Sequence, residues 1–374
     1  MQKQGFGVFQ IASAYIGTVI GAGFASGQEV LQFFVAFGLN GLWGILISSA
    51  LFFFIGWSIL LLGRSLGAGS HVDVVRFTNG PVLGTFIDIV ITIFLFGGLS
   101  AMIAGAGAIF KEQFNVAPVW GTIVMALAAL LTVVTGTRGV IRANSYIVPF
   151  LITAMLAVSI VSLARNPLTA EEAQAAENLT AATPNWPLSA VNYASYNIVI
   201  SIGVLAPMGA ATPDKKKLLL GTLTGAMGLT AALVAIYLCV LTNITAVGGR
   251  ELPMVTAAGG LSGIIRLIFA VVLFAAVYTT AVGNLFALSQ RTSLGLPRPM
   301  FIIGASSLAL IAGQLGFSNM VRFLYPAVGY GGMAFFAGVI YVWIAKRGAL
   351  WNAQPGLPRS APMVKRQRTP EVSK

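Results

Sequence analysis

The chain has 374 residues, of which 57% are hydrophobic and 9% charged, whereas a soluble domain carries charge on about a quarter of its residues. This balance excludes an ordinary soluble domain and leaves room for about ten spans of about 20 apolar residues, so any functional site lies among helices. The net charge of +12 would suit nucleic acid in a soluble protein, but in an apolar chain the placement of the basic residues must be tested against membrane topology first.

Apolar runs bounded by Gly, Pro, Asn or charge predict helices over 6–37, 42–63, 83–110, 119–136, 143–164, 189–211, 217–242, 263–289, 300–315 and 320–345. The first run is longer than a signal-peptide core and lacks an Ala-x-Ala site, so it reads as a span. Residues 165–188 are polar, with Glu171, Glu172 and Glu177, and read as an extracytoplasmic loop with a short amphipathic helix. Residues 347–374 read as a disordered basic tail, in which Lys365, Arg366 and Arg368 suit either anionic headgroups or a solvated end. An even number of spans puts both termini on one side. With that side cytoplasmic, 17 of the 22 Lys and Arg lie inside and five outside. This positive-inside asymmetry accounts for the charge without nucleic acid and leaves lipid as the surrounding partner. Cys239, the single cysteine, lies in an apolar helix and reads as packing.

The first span is crowded by Gly17, Gly21, Gly23 and Gly27 with Ser26. Glycine is a weak helix former, and unwound backbone in lipid is tolerated only where it lines a cavity or is buried in protein. The competing reading is close helix contact, the small-xxx-small pattern that Gly17, Gly21 and Gly23 partly satisfy. The sixth span repeats the signal, with Gly203, Pro207 and Gly209 in its middle and inner half. Interrupted segments at matching positions of two halves mark the binding site of an inverted-repeat transporter.

The order of spans, with breaks expected in the first and sixth, resembles the LeuT fold of the amino acid, polyamine and organocation transporter superfamily. Within it, Gly-Ala-Gly-Phe-Ala-Ser-Gly-Gln-Glu, residues 21–29, resembles the YkvI-like family of bacterial membrane proteins. The likeness runs to about residue 346 and implies an all-α membrane protein with a 5+5 inverted repeat, residues 1–164 and 189–346. It also implies a secondary transporter of the bacterial cytoplasmic membrane, not an enzyme, with no cofactor beyond a coupling ion, sodium or proton. A membrane nutrient sensor using the same fold without net transport is the rival expectation. Ala276-Val-Tyr-Thr279-Thr280 fits the sodium-site pattern of the fold, which implies ligands from the Gly17, Ile20 and Ala276 carbonyls and the Thr279 and Thr280 hydroxyls. From the residues alone, both threonines also suit bonds to their own helix. Phe24 stands where neurotransmitter-type members carry an asparagine, so a second sodium site is not expected.

Half-helix ends at the breaks attract a carboxylate and an ammonium. A zwitterion or amine is therefore expected against Gly21, Ala22, Gly23 and Phe24 on one side and Ser201, Gly203 and Val204 on the other. Phe24, Tyr193, Tyr196 and Tyr278 suit either the walls of that site or plain packing. Two acidic residues lie within spans, Glu29 and Asp88, and ionisable groups at depth are functional candidates because their burial is costly. Glu29 is expected to act as a gate pair with Arg322, a proton acceptor or a ligand for the substrate ammonium. Asp88 is expected to pair with a nearby arginine, and His71 to lie in a solvated loop. No Walker loop, nucleophile elbow or zinc motif is present in the sequence.

Overall fold

In the computed structural model, residues 5–135, 138–291 and 297–345 are described. The basic tail at 347–374 lies outside them. The order of helices is α1 (Val8–Val19), α2 (Ala22–Ala25), α3 (Gln28–Phe33), α4 (Asn40–Leu66), α5 (His71–Phe114), α6 (Pro118–Thr135), α7 (Arg138–Arg165), α8 (Ala170–Glu177) and α9 (Trp186–Ala211). There follow α10 (Lys215–Leu241), α11 (Ile244–Val247), α12 (Pro253–Leu261), α13 (Gly263–Ser289), α14 (Arg298–Gly313), α15 (Phe317–Asn319), a π-helical turn Met320–Leu324 and α16 (Tyr325–Ala345). Among the described residues there is no strand. Six helices are long and apolar enough to cross a membrane, and four shorter apolar ones accompany them. The expected amphipathic helix in the 165–188 loop is α8, capped by Thr169.

Two of the expected elements differ in ways that matter for the site. The third span begins earlier than 83, because 71–79 forms a helical arm ahead of a kink at Gly80. Gly80 has φ 74°, a left-handed conformation that suits glycine, and Pro81 restarts the helix where no N–H is required. The arm is held at its start by Asp73, whose Oδ2 accepts from the backbone N–H of Gly69 and Ser70 at 3.0 and 3.3 Å. The sixth span, expected to be broken, is continuous as α9 through Pro207. Proline there removes the donor to the Gly203 carbonyl, but its fixed φ is helical, so the loss of one bond does not unwind the chain.

Packing separates the helices into two groups. In one, α4 lies along α9 and α10, and α1 lies along α10 and α9. In the other, α5 packs against α6, α13 and α14, and α13 against α6 and α7, while α16 touches both α5 and α9. Helices in lipid gain nothing from leaving water, so close contact of small residues carries their association. Gly63 sits on the Ala206 carbonyl and Gly209 on the Leu60 carbonyl, leaving no room for a side chain on either face of the α4–α9 seam. On α10, Gly221 receives Ile11 and Gly225 receives Tyr15, whose hydroxyl donates to the Phe52 carbonyl at 2.8 Å.

One end of the bundle gathers Arg64, Lys215, Arg291 and Arg298; there Arg64 Nε donates to the Pro213 carbonyl at 2.7 Å and Arg298 to Ser289 Oγ at 3.2 Å. This is called the basic end below. Replacing Gly63 or Gly209 by Leu forces the α4–α9 seam apart and should cost about 1–3 kcal/mol. Thermal unfolding in detergent reads this as a lowered midpoint, and an unchanged midpoint would show that the seam is looser than described.

Candidate functional site: the break in the first helix

The first span is interrupted at the expected glycines. α1 ends at Val19, and Ile20 (φ −77°, ψ 88°) and Gly21 (φ −103°, ψ −173°) leave the helical region. The Gly21 N–H turns to the Val19 carbonyl at 2.9 Å, rather than to Gly17 as a continuous helix would require. The chain re-enters a helix at Ala22, turns again at Gly27 (φ 82°) and continues as α3. Two opposed helix ends, one presenting carbonyls and one presenting N–H groups, therefore meet inside the protein.

Both readings of the glycine run are realised, at different positions. A side chain on Gly17, Gly21 or Gly203 would meet nothing within 4 Å. These three border open space. A side chain on Gly23 would collide with Glu29 Oε1, and one on Gly27 would lie 2.9 Å from Met254 Cγ. These two are packing positions.

Glu29 is 5% exposed. Its Oε2 accepts a hydrogen bond from the Tyr196 hydroxyl at 2.6 Å, which ties α3 to α9. Tyr196 is ringed by Phe33, Tyr193, Tyr325 and Phe94 at centroid distances of 5.5, 5.4, 5.1 and 6.3 Å. This aromatic plug lies between the break and the end opposite the basic one. The expected ion pair between Glu29 and Arg322 is not formed. Gln28 Nε2 instead donates to Ser318 Oγ at 2.9 Å and Gln32 Nε2 to the Ser318 carbonyl at 3.0 Å, joining α3 to α15. Side chains on a helix lean toward its N-terminus, so Glu29, in the first turn of α3, reaches back over Gly23 and not out toward Arg322.

On the other side of the plug, a cavity of about 230 Å³ lies between α5, α9 and α13. It is lined by Phe94 and Val199 near the plug, by Gly203, and by His71 and Arg291 at the basic end. Arg291 Nη1 donates to Asp88 Oδ1 at 2.8 Å and to Thr92 Oγ1 at 3.1 Å. That is the arginine partner expected for Asp88. His71 is not a solvated loop residue, because the Gly80 kink folds its arm back until Nε2 lies 3.2 Å from Asp88 Oδ1 and 3.1 Å from Arg291 Nη2.

The remaining expected site residues are distributed as follows. Ala22 and Phe24 are fully buried. Ser201 is buried and accepts from Thr18 Oγ1 at 3.0 Å, linking α1 to α9 beside the break. Val204 is 40% exposed. Thr279 Oγ1 donates to the Ala276 carbonyl at 3.0 Å, the bond back to its own helix, and Thr280 is half-buried. α2 packs on α13, so the break and the threonine pair lie on elements in contact. Tyr278 turns to α6, where its hydroxyl meets Thr132 Oγ1 at 2.7 Å, and is not a wall of the central space. Among the described residues no group of three His, Cys, Asp or Glu is placed to hold a metal. Gln28, Gln32 and the role of Tyr196 toward Glu29 were not foreseen. The signal for them is the buried polar stripe of α9, in which Asn192 and Ser195 also donate to the Pro326 and Gly329 carbonyls at 2.9 and 2.8 Å.

No protein-family model matches the chain. It is 30% identical over 343 residues to the uncharacterized membrane protein YkvI of Bacillus subtilis, covering 91% of this chain and 97% of that one. The chain belongs to the YkvI family. Another relative, the uncharacterized YyaD of the same organism, is 27% identical over 320 residues, covering 84% and 90% of the two chains. Membership of the YkvI family, together with the long apolar helices, makes this a multi-pass membrane protein.

Solved structures place the YkvI-family chain in the LeuT fold. MhsT in complex with L-phenylalanine aligns with TM-score 0.61 at 18% identity, over 92% of this chain and 91% of that one. A manganese transporter of Eremococcus coleocola aligns with TM-score 0.59 at 14% identity, over 94% and 81%. Mhp1 aligns with TM-score 0.60 in its inward-facing conformation, at 13% identity over 92% and 78% of the chains, and with 0.53 in a closed conformation with bromovinylhydantoin bound, at 14% over 92% and 80%. These neighbours are transporters, not enzymes.

Gly23→Ala should displace the Glu29 carboxyl and cost about 1–3 kcal/mol as an overpacked core substitution. Gly17→Ala, at an open helical position, should be neutral or stabilising by up to about 1 kcal/mol. Thermal unfolding of the two variants separates the packed from the open glycines; equal midpoints would contradict the assignment.

Proposed function

We propose that the chain is a secondary active transporter that carries a small amino acid or related amine across the bacterial cytoplasmic membrane by alternating access, coupled to sodium or protons. The observation that carries this reading is the interrupted first helix beside open space at Gly17, Gly21 and Gly203, with a plug on one side and a cavity on the other. A receptor needs a ligand site, but only a carrier needs that site to face each side in turn. The basic end is cytoplasmic on the positive-inside rule, which puts both termini inside, and the cavity then faces the cytoplasm. The better match to the inward-facing than to the closed form of Mhp1 supports this state.

The packing supports a ten-span inverted repeat of residues 1–164 and 189–346. Exchanging the halves maps α1 onto α9 and α4 onto α10, so the contact of α1 with α10 becomes that of α9 with α4. The contact of α5 with α16 likewise becomes that of α13 with α7. The break itself is not repeated, since α9 is continuous. The group containing α1, α4, α9 and α10 would rock against the one containing α5 and α13.

Substrate would bind between Gly21, Ala22, Gly23 and Phe24 on the first helix and Ser201, Gly203 and Val204 on α9. The carbonyl end of α1 suits an ammonium and the N–H end of α2 a carboxylate. The L-phenylalanine complex of MhsT favours an amino acid, although the manganese transporter shows how much cargo varies on this fold. For sodium, the carbonyls of Gly17, Ile20 and Ala276 and the hydroxyls of Thr279 and Thr280 form a hard oxygen set, once Thr279 releases its own helix. For protons, Glu29 is the carrier: a carboxyl bonded to Tyr196 next to the break can exchange that bond for one to substrate or water. With Arg322 elsewhere, its gating role is exercised through Tyr196.

The test is uptake by proteoliposomes of each common L-amino acid and of simple amines, driven by a sodium or a proton gradient. One compound should accumulate. Under sodium drive, Thr280→Ala should weaken the sodium dependence about tenfold, and under proton drive Glu29→Gln should abolish accumulation while exchange persists. A compound that binds the protein but is never taken up under either gradient would contradict transport and establish a sensor.

A further inference from the structure

The end opposite the basic one holds another cavity, of about 260 Å³, between α3, the turn after α11 and the α15–π segment. Its polar lining includes Gln28, Gln32, Arg250, Ser318 and Arg322, with Thr180 and Asn319 beside them. Neither arginine forms an ion pair among the described residues, and no carboxylate lines the space. Of the nearby acids, Glu251 is engaged elsewhere, while Glu112, close enough to Arg250 to feel its charge, keeps one oxygen, Oε2, without a hydrogen-bond partner. Glu251 Oε2 accepts the Phe317 N–H at 2.8 Å, and Glu112 Oε1 accepts the Glu251 N–H at 2.8 Å.

The opposite need is present as well. Gln32 is 6% exposed, and because its amide faces a carbonyl, that of Ser318, the facing atom must be the nitrogen. Its Oε1 is therefore left buried without a donor, and Gln28 Oε1, on a side chain 3% exposed, also lacks one. Buried acceptors without partners are costly and call for an explanation. Arg322 is carried by a π-helical turn that precedes Pro326. Proline cannot donate to the carbonyl four residues before it, that of Arg322 itself, and π-turns recur at functional sites.

We infer that this cavity binds a small molecule carrying both a carboxylate, taken by Arg250 and Arg322, and an N–H donor, taken by Gln28 and Gln32 Oε1. An inorganic anion would satisfy the arginines and leave the glutamines unpaired. An amine would do the reverse. The inference depends on the transport reading only for its placement on the outer face, where such a site would hold amino-acid-like molecules above the plug; the binding itself does not depend on it.

The experiment is calorimetric titration of the full-length protein with glycine, acetate, methylammonium and chloride. Glycine should bind about tenfold more tightly than acetate or chloride, and methylammonium should not bind measurably. Arg322→Gln and Arg250→Gln should each weaken glycine about tenfold, with partial recovery in the Lys variants. Equal affinity for glycine and acetate, unaltered affinity in both arginine variants, or no binding of glycine would each overturn the proposal. Glycine binding with the predicted arginine dependence, in a protein that transports nothing, would sink the transport reading and support this one.

Discussion

The structure depends on the rule that backbone polar groups removed from water must find partners, a rule that lipid enforces more strictly than any soluble interior. The long helices obey it through their own ladders, apart from departures such as the kink at Gly80 and the single donor lost at Pro207. The first span departs from it at Ile20 and Gly21, and the departure is supported from all sides: by the Thr18–Ser201 bond, by α2 against α13, and by Glu29 folded back beneath Gly23. An interruption with that much support around it is a built feature, and the space it borders is the site proposed above for a ligand.

The two sides of the break differ. Toward the end opposite the basic one, a buried carboxyl, three tyrosines and two phenylalanines form a dense plug, backed by the glutamine bonds to Ser318. Toward the basic end, polar contacts among His71, Asp88 and Arg291 sit at the mouth of an open cavity and do not fill it. In the transport reading proposed above, opening the first and closing the second would shift α9 relative to α3 and α5, and the α4–α9 seam would make α4 its companion in that movement. Contacts of Asn192 and Ser195 with α16 would couple the last helix to the same displacement.

Much of this was legible in the sequence because glycine and proline write backbone chemistry directly. The crowding at Gly17 to Gly27 announced the break, and Asp88 announced an arginine partner. The sixth helix was misread for a definable reason: Pro207 deletes one hydrogen bond, but whether a helix unwinds depends on packing such as Gly209 against Leu60, which no local pattern contains. Glu29 and Arg322 carry opposite charges on neighbouring helices, and only the direction in which a side chain leaves its helix separates them. His71 was misplaced because the fold-back at Gly80 turns a loop residue inward.

The central claim is that the break and α9 line a space open to the cytoplasm and closed from outside. Cys239 is the single cysteine and is buried, so a Cys239→Ser background allows Gly203→Cys to be introduced as a lone reporter. Labelling it with a membrane-impermeant maleimide, in right-side-out and inside-out vesicles, tests the claim most directly. Rapid labelling is expected in inside-out vesicles and little in right-side-out ones. Equal protection in both, or labelling only in right-side-out vesicles, would contradict it.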